Sequence, residues 1–249
     1  MSMNNFITPN WAAPISVGCL ITTRIGGVSV APYNTFNLGT HVGDAPELVM
    51  QNRLILEKSL PGKPFWLNQS HSDNLICLDN TSSDALNLHN YDASFTCQKN
   101  KVCVVMSADC IPILLTDKKA SFVAAVHAGW RGVENNIIGK TIHTSGLQSA
   151  NILAYIGPAI CKNHFEVGQE VFEMFVHQNI DNQHFFSEIG DDKFHCDLTA
   201  IAKAQLLRLG LLEQNIYLSD MCTYCNEELF FSHRRDEVTG RIASLIWLS

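Results

Sequence analysis

Three short segments of the sequence place histidine, cysteine or aspartate directly after an apolar run. His71 lies in a polar turn that follows residues 65–67, Asp109 and Cys110 lie between two apolar runs, and His127 ends a third run. Residues that bind or catalyse are common on the connections that a rigid scaffold positions. We therefore expect each of these segments to open into a functional site.

His71, Cys110 and His127 are the residue types that bind a catalytic zinc ion. Zinc accepts imidazole nitrogen and thiolate sulfur, and a catalytic zinc keeps three protein ligands so that water or substrate takes the fourth position. No two of the three lie within four residues of each other, so the zinc hypothesis requires the fold to bring them together. The alternative for Cys110 is an ordinary buried thiol, because free cysteine behaves as a small hydrophobic residue.

The same residues also support a nucleophilic hypothesis. Cys110 could be activated by His127 or His71, with Asp109 or Asp73 orienting the base, as in a cysteine hydrolase. The two hypotheses compete for one sulfur atom, because a zinc-bound thiolate is poorly available for acyl transfer.

Arginines occur in motifs suited to an anion. Arg24 precedes a pair of glycines at the end of a predicted strand, where backbone amides can approach a phosphate. Arg234, Arg235 and Arg241 are three further arginines, each able to bind phosphate through two hydrogen bonds. The alternative is a surface ion-pair set with neighbouring acidic residues such as Asp236.

The remaining motifs favour structural interpretations. Cys222 and Cys225 have the spacing of a metal or redox motif, but no second Cys-x-x-Cys pair completes a four-cysteine site. Asp92 is predicted to be a turn or cap residue. The sequence contains no Gly-x-Gly-x-x-Gly, P-loop or Gly-x-Ser-x-Gly motif, which argues against nucleotide cofactors and a serine hydrolase.

Composition narrows the class of protein. Of the 249 residues, 46% are hydrophobic and 16% charged, which excludes a disordered chain. The formal net charge of −7 gives no general attraction for nucleic acid or anionic lipid, and no apolar run approaches the roughly 20 residues of a membrane span. Nine scattered cysteines are unlike a disulfide framework. We expect a cytoplasmic protein with no membrane or nucleic-acid partner.

The pattern of apolar residues predicts alternating strands and helices. Continuous runs rich in β-branched residues predict buried strands at 17–23, 102–106, 111–116, 122–126, 152–156 and 242–248. Helices are predicted from Pro46, over 134–143, over 169–177 and over 198–209, the last capped by Asp197 or Thr199 and closed by Gly210. No linker interrupts the chain. These elements predict one mixed α/β or α+β layered domain over residues 1–249.

The motifs together resemble the YfiH family, also called laccase-domain or polyphenol oxidase proteins. The most specific are TTR at 22–24, SADC at 107–110, VHAGWRG at 126–132 and FSHRRD at 231–236. Further matches lie at 26–29, 37–44, 69–71, 157–160 and 239–241. His233 stands where tyrosine is frequent in the family. The matching motifs run in family order from residue 22 to residue 241, so the resemblance covers nearly the whole chain.

The resemblance implies a fold, a metal and an activity. The fold is an α-β-β-α layered domain similar to the catalytic domain of the cytotoxic necrotizing factor toxins. A zinc ion would be held by His71, Cys110 and His127. Family members are described as purine nucleoside phosphorylases acting on adenosine, inosine, guanosine and methylthioadenosine, with adenosine deaminase activity as well. Other descriptions are copper-dependent polyphenol oxidase and peptidoglycan editing factor.

These activities assign roles to further residues. Phosphorolysis needs an anion site, for which we predict the arginines at 24, 131, 234 and 241 together with Asn37. Asp109 or the metal would stabilise the leaving purine, and a carboxylate such as Asp109 would move protons in deamination. None of the ten histidines has another two positions away, so the many-histidine centre of a multicopper oxidase is excluded. Copper(II) remains an adventitious occupant of the zinc site.

Two other classes of function remain open at this stage. One is a cysteine hydrolase or amidase acting on a cell-wall precursor, and the other is a zinc-stabilised binding protein without turnover. We expect a monomer that binds purine nucleosides and phosphate.

Overall fold

The computed structural model describes residues 5–79, 81 and 89–249. Its strands are β1 (Phe6–Ile7), β2 (Val17–Thr22), β3 (Pro64–Phe65), β4 (Leu75–Cys77), β5 (Ala93–Thr96), β6 (Val102–Ser107), β7 (Ile111–Asp117), β8 (Val123–Ala128), β9 (Ile152–Ile156), β10 (Glu166–Gly168), β11 (Phe186–Gly190), β12 (Lys193–Cys196), β13 (Ile216–Leu218) and β14 (Ile242–Leu248). Its α-helices are α1 (Pro46–Glu57), α2 (Trp130–Glu134), α3 (Ile137–Thr144), α4 (Gln169–Gln178), α5 (Leu198–Arg208) and α6 (His233–Asp236). Among these described residues, no helix is both long and apolar enough to span a membrane.

The strands form two large sheets and one small sheet. The first has the order β1-β2-β14-β6-β3, and the second has the order β13-β9-β7-β8-β5-β4. In their centres the strands are antiparallel, with β14 between β2 and β6 and with β7 between β8 and β9. The small sheet has the order β10-β12-β11.

The side chains of β6 show how the layers stack. Val102 and Val104 pack with Leu56 of α1 on one face of the first sheet. Cys103 and Val105 point to the opposite face and pack with residues of the second sheet, because side chains alternate along a strand. The sheets are therefore covered on both faces, as their continuous apolar runs predict.

Helices cover the outer face of the second sheet. Ile138 of α3 and Ile201 of α5 belong to the same buried cluster as Ile113 of β7 and Val126 of β8. Together with α1 on the far side, this gives the layer order α-β-β-α. The predicted mixed α/β layered fold is confirmed, whereas the likeness to the cytotoxic necrotizing factor domain stays a prediction.

The predicted elements match the structure closely, with one correction. The helix predicted over 134–143 is wrong in its first part, because α2 ends at Glu134 and α3 begins at Ile137. Asn136 between them has a φ of 64°, a left-handed conformation that asparagine adopts more readily than most residues and that interrupts a helix. Asp197 caps α5 as predicted, accepting a hydrogen bond of 2.9 Å from the Ala200 N–H.

The chain crosses from the first sheet to the second between β6 and β7. Only Ala108, Asp109 and Cys110 connect the two strands. Asp109 has a φ of 93°, which places the chain in a left-handed conformation at the crossing. Because this connection is so short, Cys110 is held where the two sheets meet.

Two leucines on α1 test the packing of the outer helix. Leu56 is 0% exposed and Leu54 is 55% exposed. We expect Leu56→Ala to lower the free energy of unfolding by about 2–5 kcal/mol, because it leaves a cavity in the core. Leu54→Ala is the matched control, with an expected change within about 0.5 kcal/mol. Urea unfolding measures both, and equal losses would contradict the packing described here.

Candidate metal centre

The fold brings His71, Cys110 and His127 together. Cys110 lies at the crossing between the sheets, His127 lies on β8, and His71 lies in the loop after β3. Their candidate ligand atoms are all within 4.8 Å of one another, and the distance from Cys110 Sγ to His71 Nε2 is 3.7 Å. The two imidazole rings meet edge to face, with centroids 4.9 Å apart. The convergence that the zinc hypothesis requires is therefore present.

A buried carboxylate positions both histidines. Asp92 is 0% exposed, and its Oδ1 accepts hydrogen bonds from His127 Nδ1 at 2.8 Å and from the His71 backbone N–H at 3.1 Å. Its Oδ2 accepts from the Ser72 N–H at 2.6 Å and from the Ser72 hydroxyl at 2.7 Å. His71 has a φ of 60°, and this conformation lets successive backbone N–H groups converge on one anion.

Asp92 was predicted only as a turn or cap residue. It does fix a turn, but it also orients a candidate ligand. In the sequence it precedes an ordinary buried strand, β5, and nothing in its spacing links it to His71 or to His127. The contact that gives it this second role exists only in the folded chain.

The charges of the cluster support one another. Burial raises the pKa of the Cys110 thiol, but the charge and hydrogen bonds of His127 and His71 outweigh burial and lower that pKa to about 6. Burial lowers the pKa of His127, but the Cys110 thiolate and Asp92 raise it to about 9. These contacts favour the thiolate form of Cys110.

The donor set fits a metal ion bound through three protein ligands. Two imidazoles and one thiolate are ligands that zinc and copper(II) both accept. The Nδ1 of His127 bonds to the Asp92 carboxylate, an arrangement typical of histidines that bind a metal through the other ring nitrogen. The third residue, Cys110, is already favoured as a thiolate. These three residues are the ones that would hold the ion.

A cavity of about 360 Å³ opens beside the three residues. This volume lies in the range of about 300–1,000 Å³ that is usual for small-molecule sites. Of the residues predicted from the sequence, its lining includes His71, Asp109, Cys110, His127, Arg234 and Arg241. His41, Gln69, Trp130, Phe165 and His233 also line it.

Arg234 and Arg241 bring positive charge to the cavity. Arg234 donates to the Glu166 carbonyl at 3.0 Å, and Arg241 donates to the Thr239 and Gly240 carbonyls at 3.0 and 2.9 Å. Within the described ranges, neither arginine forms a salt bridge to a carboxylate. Each guanidinium has five N–H donors, so both retain charge and donors for an anion in the cavity.

Asp109 fixes the wall of the cavity. Its Oδ1 accepts from the Thr223 hydroxyl at 2.7 Å, and its Oδ2 accepts from the Arg234 backbone N–H at 2.7 Å. The Asp109 carbonyl accepts from the Ile160 N–H at 2.9 Å. The carboxylate thus ties the crossing between the sheets to the segment that carries Arg234.

The structure places three predicted binding residues outside the lining of this cavity. Arg24 lines a different cavity, where it donates to two backbone carbonyls. Asn37 is buried, and its Oδ1 accepts from the Arg241 backbone N–H at 2.9 Å. Arg131 stacks on Trp130, with its guanidinium 4.2 Å from the ring centroid. A direct role for these three in substrate binding stays a prediction.

Several residues of the cavity were given no individual role from the sequence, and Gln69 has the clearest structural role among them. Its Nε2 donates to the Met106 carbonyl and its Oε1 accepts from the Met106 N–H, both at 2.8 Å. This pair fastens the loop of His71 to the end of β6. Gln69 and His41 lie within the family motifs, which was the available signal, whereas Phe165 lies in no motif.

Comparison with known proteins decides the family. Residues 18–249 match the family model described as multi-copper polyphenol oxidoreductase laccase. A protein of Escherichia coli (strain K12), named purine nucleoside phosphorylase YfiH, is 41% identical over 248 residues, which are 99% of this chain and 100% of that protein. This chain belongs to the YfiH family. The predicted resemblance is confirmed.

Two further relatives support this assignment, and each covers nearly the whole chain. A protein of Haemophilus influenzae named purine nucleoside phosphorylase is 42% identical over 245 residues, covering 97% of this chain and 98% of that protein. The crystal structure of Neisseria meningitidis protein NMB0706 superposes on this chain with a TM-score of 0.91 and 43% sequence identity. The match covers 99% of this chain and 100% of that one.

The role of Asp92 in this YfiH-family chain can be tested by Asp92→Asn. The amide retains the size of the carboxylate but loses the charge, and its NH2 group cannot accept from backbone N–H groups. We expect metal affinity to fall about 10–100-fold, the usual effect of losing a partner of a metal-binding histidine. Competition with a chelator measures it.

Asp73→Asn is the matched control, because Asp73 lies in the same loop but pairs with exposed Lys140. It should leave metal affinity unchanged. Equal losses in both variants would show that Asp92 has no specific role at the metal centre.

Proposed function

We propose that this YfiH-family protein is a zinc-dependent purine nucleoside phosphorylase. Its substrates would be adenosine, inosine, guanosine and methylthioadenosine, which phosphate converts to the free purine and the sugar 1-phosphate. The observation that carries the proposal is one cavity that combines the His71, Cys110 and His127 cluster with Arg234 and Arg241. The names of the relatives support the same substrate class.

The reaction requires the residues of the cavity to bind two substrates side by side. In phosphorolysis the bond between the sugar and the purine breaks, a phosphate oxygen bonds to the sugar carbon, and the purine gains a proton. Arg241 and Arg234 would hold the phosphate through charge-assisted hydrogen bonds. Phe165 and Trp130 would contact the faces of the nucleoside, since aromatic rings stack on bases.

Asp109 is the proposed proton-transfer group. Each of its carboxylate oxygens accepts one hydrogen bond from the protein, which leaves a lone pair on each oxygen. It is held rigidly at the cavity wall, so a proton transferred there would move over a fixed distance. A zinc ion held by the three ligands would supply Lewis-acid stabilisation of a leaving purine, or activation of water.

The same cavity supports adenosine deamination as a second proposed activity. In that reaction water adds to the purine ring, the amino group leaves as ammonia, and a carboxylate moves the protons. Asp109 and the His71, Cys110 and His127 cluster are the groups required. Phosphate is not a reactant, so dependence on phosphate separates the two activities.

The laccase description of the family does not extend to multicopper chemistry in this chain. A multicopper centre needs many histidines, and none of the ten here has another two positions away. In the described part of the chain, the three-residue groups with metal-binding spacing contain at most two histidines. We propose that copper is at most an adventitious occupant of the zinc site.

Cysteine chemistry supports a cytoplasmic location. All nine cysteines are free, and free thiols persist where the compartment is reducing. We propose that the chain acts there as a one-domain monomer with small-molecule partners.

The first experiment follows adenosine by chromatography. Zinc-loaded protein is incubated with and without phosphate, and so is the Cys110→Ala variant. We expect free adenine only when phosphate and the thiol are both present, because removing Cys110 removes a metal ligand. Inosine formed without phosphate would demonstrate the deaminase activity.

Cys97→Ser is the matched control, because Cys97 is an exposed free thiol outside the cavity. It should retain full activity. Adenosine that stays unchanged with zinc-loaded protein and phosphate would overturn the proposed function.

The phosphate site is tested by Arg241→Met. A hydrogen bond to a charged group contributes about 1.5–3 kcal/mol, and about 1.4 kcal/mol is a tenfold change in binding. We therefore expect the KM for phosphate to rise about tenfold or more, with a smaller change in the KM for nucleoside. Arg208→Met, on α5, is the control and should leave both unchanged. If the KM for phosphate instead rose in Arg24→Met and not in Arg241→Met, the phosphate site would lie in the cavity lined by Arg24.

A cysteine hydrolase is the second candidate, and one observation favours it. Cys110 contacts His127, and His127 in turn contacts Asp92. This is the arrangement of a nucleophile, its base and a carboxylate that orients the base. This candidate would act on an amide bond of a cell-wall precursor through an acyl-enzyme on Cys110. Metal removal separates the candidates: it should abolish phosphorolysis and leave a thiol hydrolase active.

A further inference from the structure

Two thiols and an imidazole meet outside the cavity of the candidate metal centre, with a third thiol beside them. The distance from Cys161 Sγ to Cys225 Sγ is 3.9 Å, and the ligand atoms of Cys161, His164 and Cys225 are all within 4.8 Å of one another. Cys222 lies beside this group, because its sulfur accepts hydrogen bonds from the backbone N–H groups of Cys161 and Cys225. We call Cys161, His164, Cys222 and Cys225 the cysteine–histidine cluster.

The spacing within the cluster is that of a structural zinc site. Cys222-x-x-Cys225 supplies one pair, and Cys161-x-x-His164 supplies the other. No second Cys-x-x-Cys pair exists in the sequence, which is why a structural role was predicted for Cys222 and Cys225. The fold places a Cys-x-x-His pair against these two cysteines. Cys161, the first residue of that pair, lies 61 residues before Cys222 in the chain.

We propose that the cysteine–histidine cluster binds a zinc ion separate from any ion at the metal centre. Three cysteines and one histidine form one of the common structural ligand sets for zinc, which is four-coordinate and closed to substrate. Soft thiolate ligands favour zinc over magnesium or calcium. The role inferred is structural, since no ligand position remains for a reacting molecule.

Hydrogen bonds already hold the two ligand loops in place. The Cys222 sulfur accepts from Cys161 N at 3.2 Å and from Cys225 N at 3.4 Å, and such N–H donors stabilise a thiolate. The His164 ring stacks on Tyr224, with centroids 3.9 Å apart. These contacts therefore hold the two loops together before an ion binds, with Cys222 beside the other three residues.

A cation supports the turn between the cysteines. Arg235 donates to the carbonyls of Thr223 and Tyr224, both at 2.9 Å. Arg235 also pairs with Asp236, so its role at the cluster is to hold the turn that carries Cys222 and Cys225.

The ion would stabilise a wall of the cavity described above. Ile160 and Phe165, on either side of the first ligand pair, line that cavity. Thr223, within the second pair, donates to Asp109. An ion that joins the two loops would hold Phe165 and Asp109 at a fixed separation.

The test counts zinc ions on the whole chain. In a Cys110→Ala background, which removes the thiol ligand of the metal centre, we expect about one zinc ion per chain to remain after dialysis. Adding Cys225→Ser or Cys161→Ser should reduce that content close to zero. Adding Cys97→Ser, an exposed cysteine outside the cluster, is the matched control and should leave it unchanged.

Two further measurements complement the zinc count, and the first uses no variant. Native mass spectrometry of the unsubstituted chain should show two bound zinc ions. Cobalt(II) loaded into the Cys110→Ala variant should give thiolate-to-cobalt charge-transfer absorption, which the additional substitution His164→Asn should change. Neither measurement reads activity, so this proposal and the proposed function can fail separately.

Two outcomes would overturn the proposal. One is a Cys110→Ala chain that retains no zinc while all its remaining thiols are reduced. The other is a chain whose mass is lower by two hydrogens, with Cys161 joined to Cys225, which would make the cluster a disulfide site.

Discussion

The candidate metal centre depends on the buried carboxylate of Asp92. One of its oxygens binds the imidazole of His127 and the backbone of His71, and the other binds the backbone and hydroxyl of Ser72. A buried charge requires such compensation, because desolvation without partners is costly. The compensation comes from the loop and the strand that carry two of the three candidate ligands, so satisfying this one charge also places the ligands.

The stacked sheets explain why the third ligand lies beside the other two. Cys110 belongs to the three-residue crossing between β6 in one sheet and β7 in the other. His127 of β8 is paired with Pro112 on the neighbouring strand, β7. Because both faces of these strands are packed against apolar side chains, the crossing cannot shift without opening the core. The thiol is therefore held by the packing of the strands on either side of it, together with the hydrogen bonds of Asp109 to Thr223 and Arg234.

The three arginines of the 231–241 segment have different roles. Arg235 pairs with Asp236 and with backbone carbonyls, and so acts within the protein structure. Arg234 and Arg241 bind backbone carbonyls but face the cavity. The ion-pair interpretation of this basic segment is thus confirmed for Arg235. Arg234 and Arg241 stay the residues proposed to bind an anion.

Much of the fold could be predicted from the order of apolar residues. The six long strands and the helices α1, α4 and α5 match their predicted positions because burial on both faces and helix end signals are local properties of the chain. The break between α2 and α3 was missed, because Asn136 adopts a left-handed conformation that propensity alone does not require.

The sequence by itself determined the family and the types of the candidate ligands, since residue identities and motif order carry both. Only the tertiary structure decided which residues meet. It assigned Asp92 to the histidines, separated Arg24 from the cavity, and paired Cys161 and His164 with Cys222 and Cys225. The physical reason is that these contacts join residues far apart in the chain, and only the stacking of the two sheets and the path of their connecting loops bring such residues within bonding distance.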